Sequence, residues 1–200
     1  MAGYRFSSFR DLKREKREGV HYSIRSEDRG SGILIMAPHG GAIEPHTAEL
    51  AEEVAADDFS LFAFIGEQAQ HNLYELHIES HRYDEECAIR MAREAEFVFA
   101  LHGLHDDVSE FLLPGGLLAT ARDDLARVWA SQGLEVRPAK PGLEGEHPNN
   151  ICNLGRLGRG VQVELSSALR RRFRRDLASR TAFVDDTRDV LLALERELRA

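Results

Sequence analysis

Three short segments carry side chains that could perform hydrolytic chemistry, and each lies at the end of an apolar run. The first begins with His39 and reaches Glu44, the second is His102-Gly103, and the third contains Glu164. Two imidazoles and one carboxylate can hold a catalytic zinc ion with one coordination position open. A nearby carboxylate that does not bind the metal can then take a proton from a metal-activated water. These residue types favour the hypothesis of metal-assisted hydrolysis.

The two glycines after His39 are part of this hypothesis. A backbone without Cβ atoms can turn sharply, which would bring Glu44 back to a metal held by His39. The alternative for His39 is a histidine that caps a turn. The alternative for Glu44 is a solvated acid that stabilises the N-terminus of a following helix, which Thr47 could cap.

The third ligand has two candidates. His77 also lies near the end of an apolar stretch, and His81 follows soon after. The His-Gly turn at His102 matches the one at His39, which favours His102 as the ligand. His77 and His81 would then support the ligands or face the substrate. The alternative for either is a buried histidine with satisfied hydrogen bonds.

Glu164 lies in an apolar strand, on the same face as Gln162, because side chains alternate along a strand. A carboxylate in such a place costs free energy unless it is paired or works near a cation. A rigid strand end suits a general base, which must be held close to the water that it deprotonates. The alternative is a structural acid paired with Arg156 or Arg159.

Polar residues directly before that strand could hold a substrate carboxylate, because the guanidinium fork of arginine matches a carboxylate. They are Asn149, Asn150, Asn153, Arg156 and Arg159, and Arg82 is a further candidate. The alternative is a polar turn, since Pro148-Asn149-Asn150 is typical of turns.

The elements that would position these residues follow a repeating order. Apolar runs predict strands over 33–37, 61–65, 73–78, 97–101, 134–137 and 161–165. Helical spacing of apolar residues predicts helices after Thr47, after Asp84, around Trp129 and at the C-terminus. This alternation predicts an α/β fold of three layers, a mixed and mostly parallel sheet flanked by helices. Sites in such folds form beyond the C-terminal ends of the strands.

Length and composition limit the remaining possibilities. The chain has 200 residues, 42% of them hydrophobic and 30% charged, and a net charge of −8. This composition is typical of a globular protein, and we expect one catalytic domain over 1–200, with an N-terminal extension over 1–30 and a closing helix over 181–200. No apolar run approaches the roughly 20 residues of a membrane helix, so we expect no membrane partner. The negative charge makes nucleic acid an unlikely partner.

The sequence also bears on cellular location and contains one strongly basic segment. The first 20 residues are polar and basic, and the two cysteines lie far apart, so a cytoplasmic protein is expected. The sequence leaves the oligomeric state open. Five arginines crowd one helix between positions 170 and 175. They are expected to form a solvated face that pairs with acidic residues, and the alternative is a docking surface for a polyanion.

Four motifs in order resemble the poly-γ-glutamate hydrolase family, zinc-dependent enzymes whose fold resembles the zinc carboxypeptidases. The motifs are APHGGAIEPHTAELA, LHIESHRYDEE, FALHGLH and NNICNLGRLGRGVQVELS, and the resemblance extends roughly over residues 33–166. The resemblance implies one zinc ion per chain, held by His39, Glu44 and His102, with Glu164 as the catalytic carboxylate. It also implies hydrolysis of γ-glutamyl amide bonds.

The chain departs from the family pattern at His46 and at 105–107. Two alternative functions therefore stand beside the first. The Pro-His-Gly opening also resembles the N-formylglutamate amidohydrolases, which would imply a small acylated amino acid as substrate. A non-catalytic module that binds polyanions through the arginine run is the third hypothesis.

Overall fold

The computed structural model describes residues 4–199, so the predicted boundaries at residues 1 and 200 lie outside it. Its seven strands are β1 (Tyr22–Glu27), β2 (Ile33–Gly41), β3 (Ser60–Gly66), β4 (Phe97–Leu104), β5 (Phe111–Gly115), β6 (Glu135–Val136) and β7 (Val161–Ser166). Its helices are α1 (Phe9–Glu15), α2 (Thr47–Ala55), α3 (Asn72–Leu76), α4 (Glu86–Glu94), α5 (Ala119–Ser131), α6 (Ser167–Arg175) and α7 (Leu177–Arg199). Short 3-10 turns lie at Ser80–Arg82 and Ile151–Asn153.

The strands form one sheet in the order β1-β3-β2-β4-β7-β5-β6. The four central strands β3, β2, β4 and β7 are parallel to one another. Strand β1 pairs antiparallel with β3, and β5 pairs antiparallel with β7. The prediction of a mixed, mostly parallel sheet flanked by helices is therefore confirmed.

Both faces of the sheet are buried. In β2, Ile33 and Ile35 face a core formed with α2, α5, α6 and α7. Leu34 and Met36 face a second core formed with α1 and α4. A parallel strand covered on both faces is apolar at every position, which explains why 33–37 shows no polar alternation in the sequence.

The prediction of a strand over 73–78 is wrong. Residues 72–76 form the short helix α3, which turns Leu76 into the core and leaves Leu73 and Tyr74 exposed. Of the apolar residues in this helical turn, only Leu76 packs into the core. Beyond residue 76 the chain is extended, and Ile78 is buried beside the site described below.

Two strands were not predicted. The N-terminal segment contributes α1 and the edge strand β1, whose outer half is polar and exposed and therefore lacks an apolar run. Strand β5 has only five residues and contains Pro114. The predicted closing helix is present as α7, which begins at Leu177. Among residues 4–199, no helix combines the length and apolar character needed to cross a membrane.

Candidate active site

Three neighbouring strands bring four functional side chains together at one edge of the sheet. His39 lies near the end of β2 and His102 near the end of β4. Glu164 in β7 is the direct cross-strand partner of His102. Glu44 follows β2, and all four side chains are buried. The C-terminal edge of the parallel strands is thus the location that the sequence predicted.

A glycine turn returns Glu44 to the site. Gly41 has a φ of +63°, and a Cβ atom there would lie 2.5 Å from the carbonyl oxygen of Gly66. Only glycine fits both the conformation and the space. The Glu44 backbone N–H then donates to His39 O at 2.9 Å, which closes the turn.

The donor atoms of His39, Glu44 and His102 face one another. His39 Nδ1 lies 3.2 Å from His102 Nδ1 and 3.2 Å from Glu44 Oε1. His102 Nδ1 lies 3.7 Å from Glu44 Oε2. Ligands around a tetrahedral zinc ion, with bonds of about 2.0–2.1 Å, are separated by roughly 3.3–3.5 Å. The separations measured here, to the two oxygens of Glu44, are close to these values.

The far ring nitrogens of the two histidines are oriented by other groups. His39 Nε2 lies 2.7 Å from the carbonyl oxygen of Ile78, and only a protonated nitrogen can donate to that oxygen. In the neutral form that can bind a metal, this donation would leave the lone pair on Nδ1, which faces the site. His102 Nε2 lies 3.5 Å from Ser80 Oγ. Such outer hydrogen bonds are what orient histidine ligands in metal sites.

His77 is the second candidate for the third ligand, and it is also close. His39, Glu44 and His77 offer three ligand atoms that all lie within 4.8 Å of one another, so this buried group could bind a metal ion. His77 Nε2 lies 3.6 Å from Glu44 Oε1. Its ring stacks on His39 with centroids 3.8 Å apart, and Tyr4 stacks on its other face. Burial and the neighbouring His39 lower the pKa of His77 to about 4.

The electrostatics of Glu44 suit a metal ligand. Burial alone would raise its pKa, but the charge of His39 and hydrogen bonds from His102, His39 and His77 hold the pKa well below its usual range. The backbone N–H of Gly103 also donates to Glu44 Oε2, at 2.8 Å. Glu44 is therefore held as a carboxylate, the form in which it can bind a cation.

Glu164 has the opposite electrostatics. Burial raises the pKa of its carboxyl group to about 7, partly offset by His102 and reinforced by the charge of Glu44. A carboxyl group with a pKa near neutrality can both accept and release a proton at physiological pH. Two neighbouring carboxyl groups with pKa values pushed apart are typical of acid–base sites.

Gln162, which lies beside Glu164 on the same face of β7, was not predicted as a site residue. Its Nε2 lies 3.4 Å from Glu164 Oε1 and 3.1 Å from Leu143 O. Asn150, a predicted substrate-binding residue, donates from Nδ2 to Gln162 Oε1 at 2.9 Å. The same-face spacing with Glu164 was the signal available in the sequence.

Arg156 and Arg159, two predicted substrate-binding residues, are not brought to this site. Arg156 forms an ion pair with Glu96 at 3.0 Å, beside the start of β4. Arg159 precedes β7 and is exposed. Because β7 runs parallel to β4, the residues directly before β7, 156–160, lie at the edge of the sheet opposite Glu164. Neither arginine pairs with Glu164, which was the structural alternative for that acid.

The remaining predicted residues are placed in different ways. Asn153 is buried, and its side-chain amide donates to the carbonyl oxygens of Gly145 and His147, which gives it a structural role in the loop. His81 is partly exposed and lines the open side of the site. Arg82 is exposed and pairs with Glu79.

An open cleft of about 740 Å³ leads from solvent to the histidines and to Glu164. Tyr4, from the N-terminal segment, lines it opposite the loop 142–147. Tyr4 had no signal in the sequence, because the segment before α1 shows no pattern that would bring it to the strand ends. The cleft is large enough for a chain-like substrate to reach the buried acid and histidines.

Comparison with known proteins finds relatives that match most of the chain. A family profile described as poly-gamma-glutamate hydrolase matches residues 6–190. UPF0714 protein YndL of Bacillus subtilis (strain 168) is 30% identical over 169 residues, which cover 83% of this chain and 65% of YndL. UPF0714 protein YmaC of the same strain is 33% identical over 171 residues, which cover 84% of this chain and 71% of YmaC. The chain thus spans about two thirds of the length of these relatives.

Solved structures give the same relationship. A bacteriophage poly-gamma-glutamate hydrolase has a TM-score of 0.90 and 27% identity, covering 96% of this chain and 98% of that one. A zinc-free structure of YndL has a TM-score of 0.86 and 27% identity, covering 93% and 96%. N-formylglutamate amidohydrolase from Ralstonia eutropha JMP134 shares the fold, with a TM-score of 0.55 and 12% identity, covering 90% and 99%. The family match over most of the sequence shows that the chain belongs to the poly-γ-glutamate hydrolase family.

Proposed function

We propose that this protein is a zinc-dependent hydrolase that cleaves γ-glutamyl amide bonds, with one zinc ion per chain. His39, Glu44 and His102 would bind the ion and Glu164 would act as general base. The observation that carries the proposal is that His39 Nδ1 and His102 Nδ1 lie 3.2 Å apart and 3.2 and 3.7 Å from the two oxygens of Glu44, with Glu164 paired in register beside His102. Membership of the family and the zinc-free description of the YndL structure support it.

Ring geometry favours His102 over His77 as the third ligand. The lone pair of an imidazole nitrogen lies in the plane of its ring. The rings of His39 and His77 are stacked, with an interplanar angle of 24°, so their lone pairs run nearly side by side. The rings of His39 and His102 are tilted by 51°, which lets their lone pairs converge on one point. His77 would then help to orient Glu44.

A bound zinc ion would supply Lewis-acid chemistry, polarising an amide carbonyl and making water a better nucleophile near neutral pH. The protein's own part is the movement of a proton. Glu164 would take a proton from the attacking water and deliver it to the leaving nitrogen, and its pKa near 7 suits both steps. Gln162 would hold the carboxylate through Oε1, which leaves Oε2 to face the substrate.

The open cleft favours a polymer over a small acylated amino acid as substrate. It is bordered by a loop and by the N-terminal segment and is not closed over the histidines. A site that accepts a chain needs such an opening, whereas a small substrate is usually enclosed on most of its surface. N-formylglutamate, the alternative substrate, serves as the comparison compound in the assay.

Replacement of the general base tests the proposal. We expect Glu164→Gln to lower the kcat for hydrolysis of poly-γ-glutamate by about 10²–10⁴-fold while zinc content stays near one per chain. The matched control is Glu79→Gln, a partly exposed acid in the same cleft, which should keep its activity. Full activity of Glu164→Gln, or absence of cleavage by the zinc-loaded wild-type protein, would contradict the proposal.

A further inference from the structure

A second cleft, of about 370 Å³, adjoins the site on the side of α6. Glu44 and Gly103 line both this cleft and the larger one, so the two are continuous past the proposed metal ligands. Pro45 and Leu73 form part of its wall. A substrate that passes the histidines would therefore extend from one cleft into the other. We call the second one the arginine cleft, after three side chains that it contains.

The helix α6 divides its arginines between two faces. Arg170 and Arg174 line the arginine cleft, and they share a face because residues four apart lie one helical turn from each other. Arg172 and Arg175 line a different, shallow surface together with Glu110, and Arg171 lies between the two and lines both. Arg170 and Arg174 are thus the arginines that belong to the cleft alone.

The arginine cleft is lined by three arginines and by two carboxylates, Glu44 and Asp107. Arg171 forms an ion pair with Asp107. Arg170 is buried and donates to the carbonyl oxygens of Leu165, Pro45 and Leu104, which are neutral partners. Within residues 4–199, neither Arg170 nor Arg174 forms an ion pair with a carboxylate. This local excess of positive charge stands out in a chain with a net charge of −8.

Arg170 also fixes the shape of the cleft. A Cβ atom at Gly103 would lie 2.6 Å from Arg170 Cζ, so the guanidinium packs directly against the strand end that follows His102. A buried guanidinium costs free energy even when it is hydrogen-bonded to neutral groups. An anion bound nearby would offset part of that cost.

We propose that the arginine cleft binds a carboxylate of the substrate that lies beyond the bond to be cleaved, with Arg174 as the direct partner and Arg170 as a positioning residue behind it. The inference rests on the proposed function, since a γ-linked glutamate chain carries a free α-carboxylate on every residue. The larger cleft of about 740 Å³ is lined by Glu79, Glu144 and Glu146 and by no arginine. We therefore assign recognition of a substrate carboxylate to the arginine cleft beside α6.

Paired changes in protein and ligand test this inference. The ligands are a γ-linked glutamate pentamer and the same pentamer with its α-carboxylates converted to carboxamides. Binding is measured in the Glu164→Gln background, in zinc-loaded protein, to limit turnover. We expect Arg174→Gln to weaken binding of the carboxylate pentamer about fivefold and binding of the carboxamide pentamer less than twofold. Arg175→Gln is the matched control and should change either Kd less than twofold.

Each outcome distinguishes the inference from the proposed function. Equal weakening by Arg174→Gln and Arg175→Gln would overturn the inference, because it would reflect general attraction to a basic surface. Equal weakening of both pentamers by Arg174→Gln would overturn it as well. Absence of cleavage by wild-type protein, with the arginine–carboxylate coupling still present, would contradict the hydrolase proposal and leave the cleft assignment standing.

Discussion

The direction of the Gln162 amide beside Glu164 is set by a backbone N–H two residues beyond Asn150. The N–H of Cys152 donates to Asn150 Oδ1 at 3.1 Å, which directs Asn150 Nδ2 to Gln162 Oε1. Gln162 must then present its Nε2 to Glu164 and to Leu143 O. Glu164 Oε1 therefore faces the N–H donor of the Gln162 amide. The loop before β7 in this way orients the proposed general base, although Asn150 itself lies outside hydrogen-bond range of Glu164.

Replacement of Gln162 tests this orientation. Gln162→Leu keeps the approximate size of the side chain and removes the donor to Glu164. We expect kcat for poly-γ-glutamate to fall about tenfold, because a base that is no longer held in place transfers protons less efficiently. KM and zinc content should change less than twofold. Steady-state kinetics and metal analysis check the result, and Asn150→Ala should produce a smaller loss of kcat in the same direction.

A rise in KM with unchanged kcat would contradict this role and would instead place Gln162 in direct contact with substrate. Loss of zinc from Gln162→Leu would also contradict it, because Gln162 contacts Glu164 and no proposed ligand.

The identity of the third zinc ligand is decided by three alanine variants. We expect His39→Ala and His102→Ala to retain less than about a tenth of the wild-type zinc after dialysis, since each removes one of three protein ligands. His77→Ala should retain zinc at a modestly lower affinity, within the 10–100-fold range typical of residues that orient a ligand. Metal analysis of the purified proteins measures this directly. Zinc loss from His77→Ala with retention by His102→Ala would assign the metal to the group His39, Glu44 and His77.

Three of the predicted site residues that come together lie near the C-terminal ends of parallel strands. His39, His102 and Glu164 could be placed at one edge of the sheet because strand direction is readable from the repeated order of strands and helices. The sequence could not separate His102 from His77, because that choice depends on ring orientation. The structure now offers the tilt of the rings as an argument.

The prediction that Arg156 and Arg159 bind the substrate is not supported, and the reason is topological. Arg156 and Arg159 are close to Glu164 in sequence, but the length of β7 carries Glu164 to the other edge of the sheet. Asn150 is farther from Glu164 along the chain, yet the loop before β7 folds back over Gln162 and brings it to the cleft. A loop that folds back in this way produces no periodic pattern of apolar residues in the sequence. The faces of α6, by contrast, could have been assigned, because Leu169 and Phe173 mark its buried side.

The buried acid predicts a pH-dependent stability of the metal-free protein. The pKa of Glu164 is raised from 4.5 to about 7 in the fold, so between these values the unfolded chain releases a proton that the native protein keeps. The contribution of Glu164 to stability is therefore lost as pH rises from about 4.5 to about 7. Glu164→Gln removes this titration. We expect the chelated variant to exceed the chelated wild type in free energy of unfolding by roughly 1–3 kcal/mol at pH 8, and by much less at pH 4.5.

Urea unfolding at the two pH values, with chelator present, measures this difference. Glu44 and His77 shift in the opposite sense, because their lowered pKa values remove stability as pH falls. Both residues are present in both proteins, so their contribution largely cancels in the comparison. Glu79→Gln is again the matched control for the change of a carboxylate to an amide. A gap between Glu164→Gln and wild type that is equal at pH 4.5 and pH 8 would show that Glu164 ionises normally, and burial would then not prepare it for proton transfer.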